Sequence, residues 1–183
     1  MIIRLYILIL FLLPATGFIQ TQAQNNRPVR LEIPVKDDTE IYKVVPCSSN
    51  GVMVIYLSSE TDPQGNFLWI AAFLDRSLKE TWRKSIPLPR GFVLAEALYA
   101  GNHLVGFWYS PKGDLSENLR IADFNVADSS HRLVGYSIPS KSEFSQFDIT
   151  GRFAVAGINT RDDQSMLIVY NLQSGLVSSA EQN

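Results

Sequence analysis

Apolar residues in this chain occur in short runs that are separated by polar, glycine-containing turns. The run after Gly51 is apolar at successive positions rather than at alternate ones. Its side chains therefore divide between the two faces of a strand, with Val52, Val54 and Tyr56 on one face and Met53, Ile55 and Leu57 on the other. A strand with two apolar faces is predicted to be buried on both of them.

The apolar runs recur with a period of about 50 residues. Each of three similar runs follows a glycine and is itself followed by a polar turn and a second apolar run. The glycines are Gly51, Gly101 and Gly151, and the second runs end at the aromatic residues Phe73, Phe124 and Tyr170. Markers that recur in one order indicate an internal repeat.

Each repeat is predicted to form antiparallel strands joined by short turns. The paired apolar runs are the second and third strands; the first strands cover 41–48, 92–99 and 144–150, and the fourth strands cover 81–88 and 131–138. Asn50-Gly51 is typical of a tight hairpin turn. Taken alone, 77–84 and 94–101 contain good helix formers, but their places in the repeat favour strands.

The predicted fold is all-β. Parallel sheets bury both faces of a strand under crossover helices, and no amphipathic helix separates these closely linked runs. A radial stack of small antiparallel sheets also buries both faces, as in a β-propeller. Over residues 29–177 the chain resembles exported β-propeller repeat proteins, of the six-bladed kind, which implies an architecture and no activity. The alternative is a β-sandwich or meander.

The predicted organisation is a signal peptide over 1–23 followed by a β-repeat domain over 24–183. Within that domain the segments are a closing strand over 29–35 and repeats over 40–89, 91–140 and 143–183. The third repeat is predicted to be incomplete, with three clear strands. Because three blades do not close a propeller, we expect further C-terminal blades in a longer protein, a homodimer that forms a six-bladed ring, or a single β-sandwich.

The N-terminus has the order of regions of a secretory signal peptide. Arg4 precedes an unbroken apolar run from Leu5 to Leu13, and a polar stretch follows with a small residue at Ala23, the predicted cleavage point. The apolar run is about half the length that a membrane-spanning helix needs, so an uncleaved anchor is the less favoured alternative. The product is therefore expected to be secreted or periplasmic.

Charge and cysteine content narrow the function classes. The net charge is −2 and basic residues do not cluster, which argues against nucleic-acid partners. Cys47 is the single cysteine, so no internal disulfide can form, and its place in an apolar strand predicts a small core residue.

The candidate site residues give no catalytic, cofactor or metal motif. His103 and His131 begin strands, have no cysteine or carboxylate at metal-ligand spacing, and are predicted to be surface or turn residues. The acidic turns at Asp62 and at Asp162-Asp163 match no calcium-loop pattern. No cofactor is expected.

The three tryptophans are candidates for a surface that stacks on carbohydrate. Trp69 and Trp108 lie within apolar runs and are predicted to be core residues. Trp82 lies on an outer strand beside Arg83, and it is the expected exposed aromatic.

The favoured function is a non-catalytic binding or scaffold module, with a protein, peptide or glycan as its ligand. The alternative is part of an exported hydrolase or lyase whose site lies in further blades. Glu40 and Glu143, just before first strands, would then be candidates at the ring centre. A third hypothesis is a remnant with no independent function.

Overall fold

The computed structural model describes residues 42–112, 115–160 and 164–182, together with residues 30 and 32. Within these ranges the chain is all-β. Its strands are β1 (Tyr42–Pro46), β2 (Val52–Thr61), β3 (Phe67–Leu74), β4 (Glu80–Leu88), β5 (Val93–Ala100), β6 (His103–Tyr109), β7 (Leu119–Asn125), β8 (His131–Tyr136), β9 (Glu143–Thr150), β10 (Phe153–Asn159), β11 (Ser165–Asn171) and β12 (Val177–Gln182). A short 3-10 turn over Ser48–Asn50 joins β1 to β2.

The strands form three four-stranded antiparallel sheets, each built from consecutive strands. The first sheet is β1–β4, the second is β5–β8 and the third is β9–β12. These sheets match the predicted repeats of about 50 residues. The segments with helix formers, 77–84 and 94–101, contribute to β4 and β5 instead, because strand pairing outweighs local propensity there.

The third sheet has four strands, one more than the sequence predicted. Its fourth strand, β12, pairs with β11 from Tyr170 opposite Val177 to Ser165 opposite Gln182. The sequence of β12 is polar and carries none of the apolar alternation that marks a strand. The proposed closing strand over 29–35 lies outside the described residues except for residues 30 and 32.

The second sheet is buried on both faces. Its rear face, which meets the first sheet, carries Leu104, Trp108 and Phe124, whereas its forward face, which meets the third sheet, carries Val105, Phe107 and Ile121. Leu104 and Val105 are adjacent in β6, so the continuous apolar run fills two interfaces at once. The predicted burial of both faces is confirmed for this sheet.

All three sheets are oriented in the same direction along the stack. The forward face of each sheet is the one that carries the second-strand residue two positions after the pair that closes the first hairpin, namely Met53, Val105 or Val155. The forward face of the first sheet carries Met53 and Ile55, which lie in the cluster shared with the second sheet. The rear face of the third sheet carries Ala154 and Ile158, which lie in the cluster shared with the second sheet. Forward face therefore meets rear face at both interfaces.

The first strands of the three sheets are neighbours: β1 contacts β5, and β5 contacts β9. Between β1 and β5, Lys43 Nζ lies 2.6 Å from Glu96 Oε1. Asn50, in the turn that follows β1, donates through Nδ2 to the hydroxyl of Tyr99 in β5 at 2.8 Å. The three described sheets thus share one inner side and form an open stack that does not close.

A third apolar cluster lies on the rear face of the first sheet. Its members are the buried residues Val54, Tyr56, Ile70, Ala72 and Leu74. In the part of the chain that the structure describes, there is no helix long and apolar enough to cross a bilayer.

Candidate functional site

One carboxylate is buried in the apolar interface between the second and third sheets. Asp123 lies on β7 and is only 4% exposed. Its Oδ1 lies 2.8 Å from His103 Nδ1, and its Oδ2 accepts a hydrogen bond of 3.1 Å from the Tyr170 hydroxyl. A buried charge is costly unless it is paired and hydrogen-bonded, and both carboxylate oxygens of Asp123 meet that condition.

Strand register brings these residues together. His103 opens β6 and lies opposite Asn125, two positions beyond Asp123 on β7, so both side chains project from the forward face. Arg132 lies directly opposite Asp123 on β8 and shares that face. Tyr170 reaches the carboxylate from the rear face of β11 in the third sheet. The cluster therefore bridges two sheets.

Tyr170 acts as a donor in this cluster. Burial, followed by the negative charge of Asp123, raises the pKa of Tyr170 well above its usual value. The phenol therefore keeps its proton at physiological pH and donates a hydrogen bond to the carboxylate.

The bond to Asp123 determines the tautomer of His103. An ionised carboxylate only accepts hydrogen bonds, so Nδ1 carries the hydrogen of the neutral ring. Nε2 is then an acceptor. The His103 side chain is about one-third exposed and lines a neighbouring cavity. A carboxylate behind a histidine is the usual way to orient an imidazole for binding or proton transfer.

The cavity beside His103 has a volume of about 210 Å³. Its lining comes from the turn end of the second sheet and consists of His103, Asp123, Asn125, Ser130, His131 and Arg132. All of these residues are polar. We call this cavity the His103 pocket.

The β7–β8 turn holds the wall of the His103 pocket in place. Asn125 Oδ1 accepts from the Ala127 N–H at 3.0 Å, and Asp128 Oδ1 accepts from the Ser130 N–H at 2.8 Å. Hydrogen bonds from the hydroxyl and the N–H of Ser130 lower the pKa of Asp128. These local bonds fix the turn without a ligand.

Arg132 spans the gap to the third sheet. Its Nη1 lies 3.5 Å from the Gln173 carbonyl oxygen, and its side chain lies over Gly175 in the β11–β12 turn. A Cβ at Gly175 would lie 2.5 Å from that nitrogen, and the φ of +75° at Gly175 already favours glycine. The turn therefore leaves room for the guanidinium group.

A second surface is the forward face of the third sheet. It presents Phe153 and Val155 from β10 and Leu167 and Val169 from β11, and Leu167 is 42% exposed. A depression of about 420 Å³ lies beside Gly157, and Ser145, Leu167 and other neighbouring residues line it. Among the described residues, no strand packs on this face.

Several sequence predictions for single residues are confirmed. Cys47 is fully buried in the first cluster, and burial raises the pKa of its thiol to about 11. Trp69 and Trp108 are core residues that meet edge to face, with ring centroids 5.9 Å apart. His131 is exposed at the start of β8.

Two predictions are right about the strand on which a residue lies but wrong about what surrounds its side chain. Trp82 lies on the outer strand β4 as predicted, but its ring is stacked between Phe73 and Phe124, with centroids 5.5 Å and 6.1 Å away. It is therefore not an exposed aromatic. His103 begins β6 as predicted, but it is bonded to the buried Asp123 and is not a simple surface residue.

The acidic residues considered from sequence do not form a shared site within the described ranges. Asp62 accepts hydrogen bonds from the N–H groups of Gln64 and Asn66 in its own turn. Glu143 is exposed at the start of β9. Asp162-Asp163 and Glu40 lie outside the described residues.

Sequence reasoning missed Asp123, Tyr170 and Arg132. One signal was available: Asp123 is a charged residue between the apolar residues Ala122 and Phe124 in the buried part of a strand, where an unpaired carboxylate would not be tolerated. Its partners come from β6 and from the next repeat, so local spacing could not identify them.

Among the residues that the structure describes, no three His, Cys, Asp or Glu side chains are grouped as metal ligands would be. The sequence matches no protein family model, and no curated protein is significantly similar to it.

Proposed function

We propose that this chain is an exported, non-catalytic binding or scaffold module of the β-propeller type. The observation that carries the proposal is the uniform direction of the stack, in which forward face meets rear face at both sheet interfaces. The shared inner side formed by β1, β5 and β9 supports the same architecture.

A head-to-tail arrangement of this kind is open-ended. Heterologous contacts continue until rotation closes a ring or the series ends. The forward face of the third sheet is apolar at its centre, as the other two forward faces are. Val155 occupies there the position that Met53 has in the first sheet and Val105 in the second. In a two-layered sandwich, by contrast, no sheet is covered on both faces.

We assign the forward face of the third sheet to a further four-stranded sheet of the same repeat, supplied by a second copy of the chain. Gly157 has no side chain where the second sheet has Phe107, and the depression beside Gly157 can take a large residue. In a second copy, the rear face of the first sheet carries Tyr56 at the position that Trp108 holds on the rear face of the second sheet.

Sedimentation velocity of residues 24–183 tests this proposal. Leu167→Lys places a charge on the forward face of the third sheet, and Leu133→Lys is the matched control because Leu133 is exposed to a similar degree, 40% against 42%. The expected result is concentration-dependent association of the wild type and of Leu133→Lys, with Leu167→Lys monomeric. A wild type that stays monomeric at high concentration would overturn the proposal.

Export rests on the order of charged, apolar and small residues over 1–23. A fusion of residues 1–30 to an enzyme that is active only outside the cytoplasm tests export. The same fusion with Ala23→Arg is the control for cleavage. Reporter activity is expected with both fusions, and processing only with the first. An inactive reporter would contradict export.

A second candidate, an exported enzyme, is favoured by one observation, the orientation of His103 by Asp123 beside a polar cavity. Purified residues 24–183 and the His103→Gln variant should be compared on ester and polysaccharide substrates. The binding-module proposal predicts background rates for both. Turnover by the wild type that His103→Gln abolishes would favour the enzyme.

A further inference from the structure

We propose that the His103 pocket binds a neutral, hydroxyl-rich ligand of the monosaccharide class, such as one unit of a glycan. This inference deepens the proposed binding role and names its ligand. It rests on the charge, the hydrogen-bonding capacity and the rigidity of the pocket wall.

The charges on the pocket wall balance. Arg132 contributes one positive charge and Asp123 one negative charge. The carboxylate of Asp128 lies just behind, bonded to Ser130. An anion would meet the carboxylate of Asp123, and a cation would meet the guanidinium group of Arg132. A neutral ligand meets neither penalty.

The wall offers both donors and acceptors, as hydroxyl groups require. In the neutral ring of His103, Nε2 accepts, because the single hydrogen is on Nδ1 and faces Asp123. Arg132 donates, Asn125 Nδ2 has a second hydrogen beyond the one that it donates to Asp128, and the Ser130 hydroxyl oxygen can accept while its hydrogen is donated to Asp128. A sugar hydroxyl donates one hydrogen bond and accepts others, so vicinal hydroxyl groups suit this mixture better than a purely donating or accepting ligand.

The polar groups of the pocket are fixed before a ligand arrives. Asp123 orients His103 and is itself held by Tyr170, and the Gly175 turn positions Arg132. Prior ordering lowers the entropic cost of binding.

NMR titration provides the test, because His103 and His131 are the only histidines and give two assignable imidazole signals. The probes are the methyl glycosides of glucose, galactose, mannose and N-acetylglucosamine, with sodium acetate and sodium phosphate as anionic comparisons. We expect at least one glycoside to shift the His103 signals saturably, with a dissociation constant on the order of 1 mM.

Two matched pairs of variants locate the site. Arg132→Gln is expected to weaken binding about fivefold through the loss of hydrogen bonds, whereas Arg152→Gln, in the β9–β10 turn, is expected to leave it unchanged. Gly175→Ala places a Cβ against Arg132 and is expected to displace its side chain. Gly101→Ala is the matched control, because Gly101 has a similar positive φ and open space around it. Amide spectra of each variant confirm that it is folded.

The inference is overturned if no glycoside gives a saturable shift, if only acetate or phosphate does, or if Arg132→Gln and Arg152→Gln bind alike. These results are independent of the sedimentation test. Association that depends on Leu167 without glycoside binding would overturn this inference alone. Glycoside binding by a chain that stays monomeric would overturn only the stacking proposal.

Discussion

At the level of single residues, the contact between the second and third sheets depends on how the carboxylate of Asp123 is satisfied. The apolar cluster of that interface includes Tyr170, which together with His103 provides the two hydrogen bonds of Asp123. Burial disfavours a lone charge, and it also strengthens these hydrogen bonds. The removal of one donor therefore leaves an oxygen of the Asp123 carboxylate buried without a hydrogen bond, which lowers stability.

Tyr170→Phe is expected to lower the free energy of unfolding by about 1–3 kcal/mol, because Asp123 Oδ2 loses its donor. The matched control is Tyr136→Phe, whose hydroxyl donates to Ser179 Oγ at 2.9 Å in an exposed place. That change should cost less than about 0.5 kcal/mol. Urea unfolding at pH 7 measures both, and equal effects would contradict the role assigned to Asp123.

The raised pKa of the Cys47 thiol predicts a loss of stability in alkaline solution. Burial raises its thiol pKa from 9.0 to about 11, against a smaller opposing effect of the Met53 backbone hydrogen bond. Between these values the unfolded chain loses the thiol proton while the folded chain keeps it. The free energy of unfolding therefore falls as pH rises from 9 to 11, by up to about 2–3 kcal/mol.

Unfolding curves of the wild type and of Cys47→Ala at pH 8 and pH 11 test this linkage. The decrease between the two pH values should be smaller in the variant, which lacks the thiol. Native Cys47 should also resist thiol reagents at pH 8 until the chain is unfolded. A decrease of the same size in both proteins would refute the linkage.

At the level of elements, the turn between β1 and β2 differs from the other two first hairpins. β5–β6 and β9–β10 close with two-residue turns, since Ala100 pairs with His103 and Thr150 with Phe153. In the first sheet Pro46 pairs with Val52, and the longer loop ends at Gly51. Gly51 has φ +137° and lies against the backbone of Leu74.

Gly51→Ala is expected to lower the free energy of unfolding by about 3 kcal/mol, because its Cβ would overlap the Leu74 carbonyl oxygen as well as straining φ. Gly151→Ala has φ +56° but open space around it, so it should cost about 1 kcal/mol. Thermal unfolding of both variants separates overlap from backbone strain. If both variants cost the same, the close approach to Leu74 has no energetic weight.

The sequence predicted the strands well because hairpin glycines and continuous apolar runs are local signals. It missed β12, whose polar residues pair only through the backbone. It also paired Phe73 with Phe124 as equivalent marks of the repeat, yet Phe73 projects from a forward face and Phe124 from a rear face, so the two meet in one interface.

At the level of the whole molecule, the repeat could be predicted but the direction of stacking could not. Both faces of the inner strands are apolar, so the sequence alone does not say which face meets which sheet. Asp123 and its partners were hidden for the same reason, since their contacts join two repeats. Direction is a property of tertiary packing, and here it determines which face remains for a further sheet.

The most direct test of this account is a methyl-to-methyl nuclear Overhauser experiment on residues 24–183 that carry the Leu167→Lys substitution. The account predicts contacts between Ile55 and Leu104 and between Val105 and Ala156, with no contact from Val155 or Val169 to the first or second sheet. Contacts from Val155 or Val169 to either of those sheets would show a closed sandwich, and they would contradict the head-to-tail stack on which the proposed function rests.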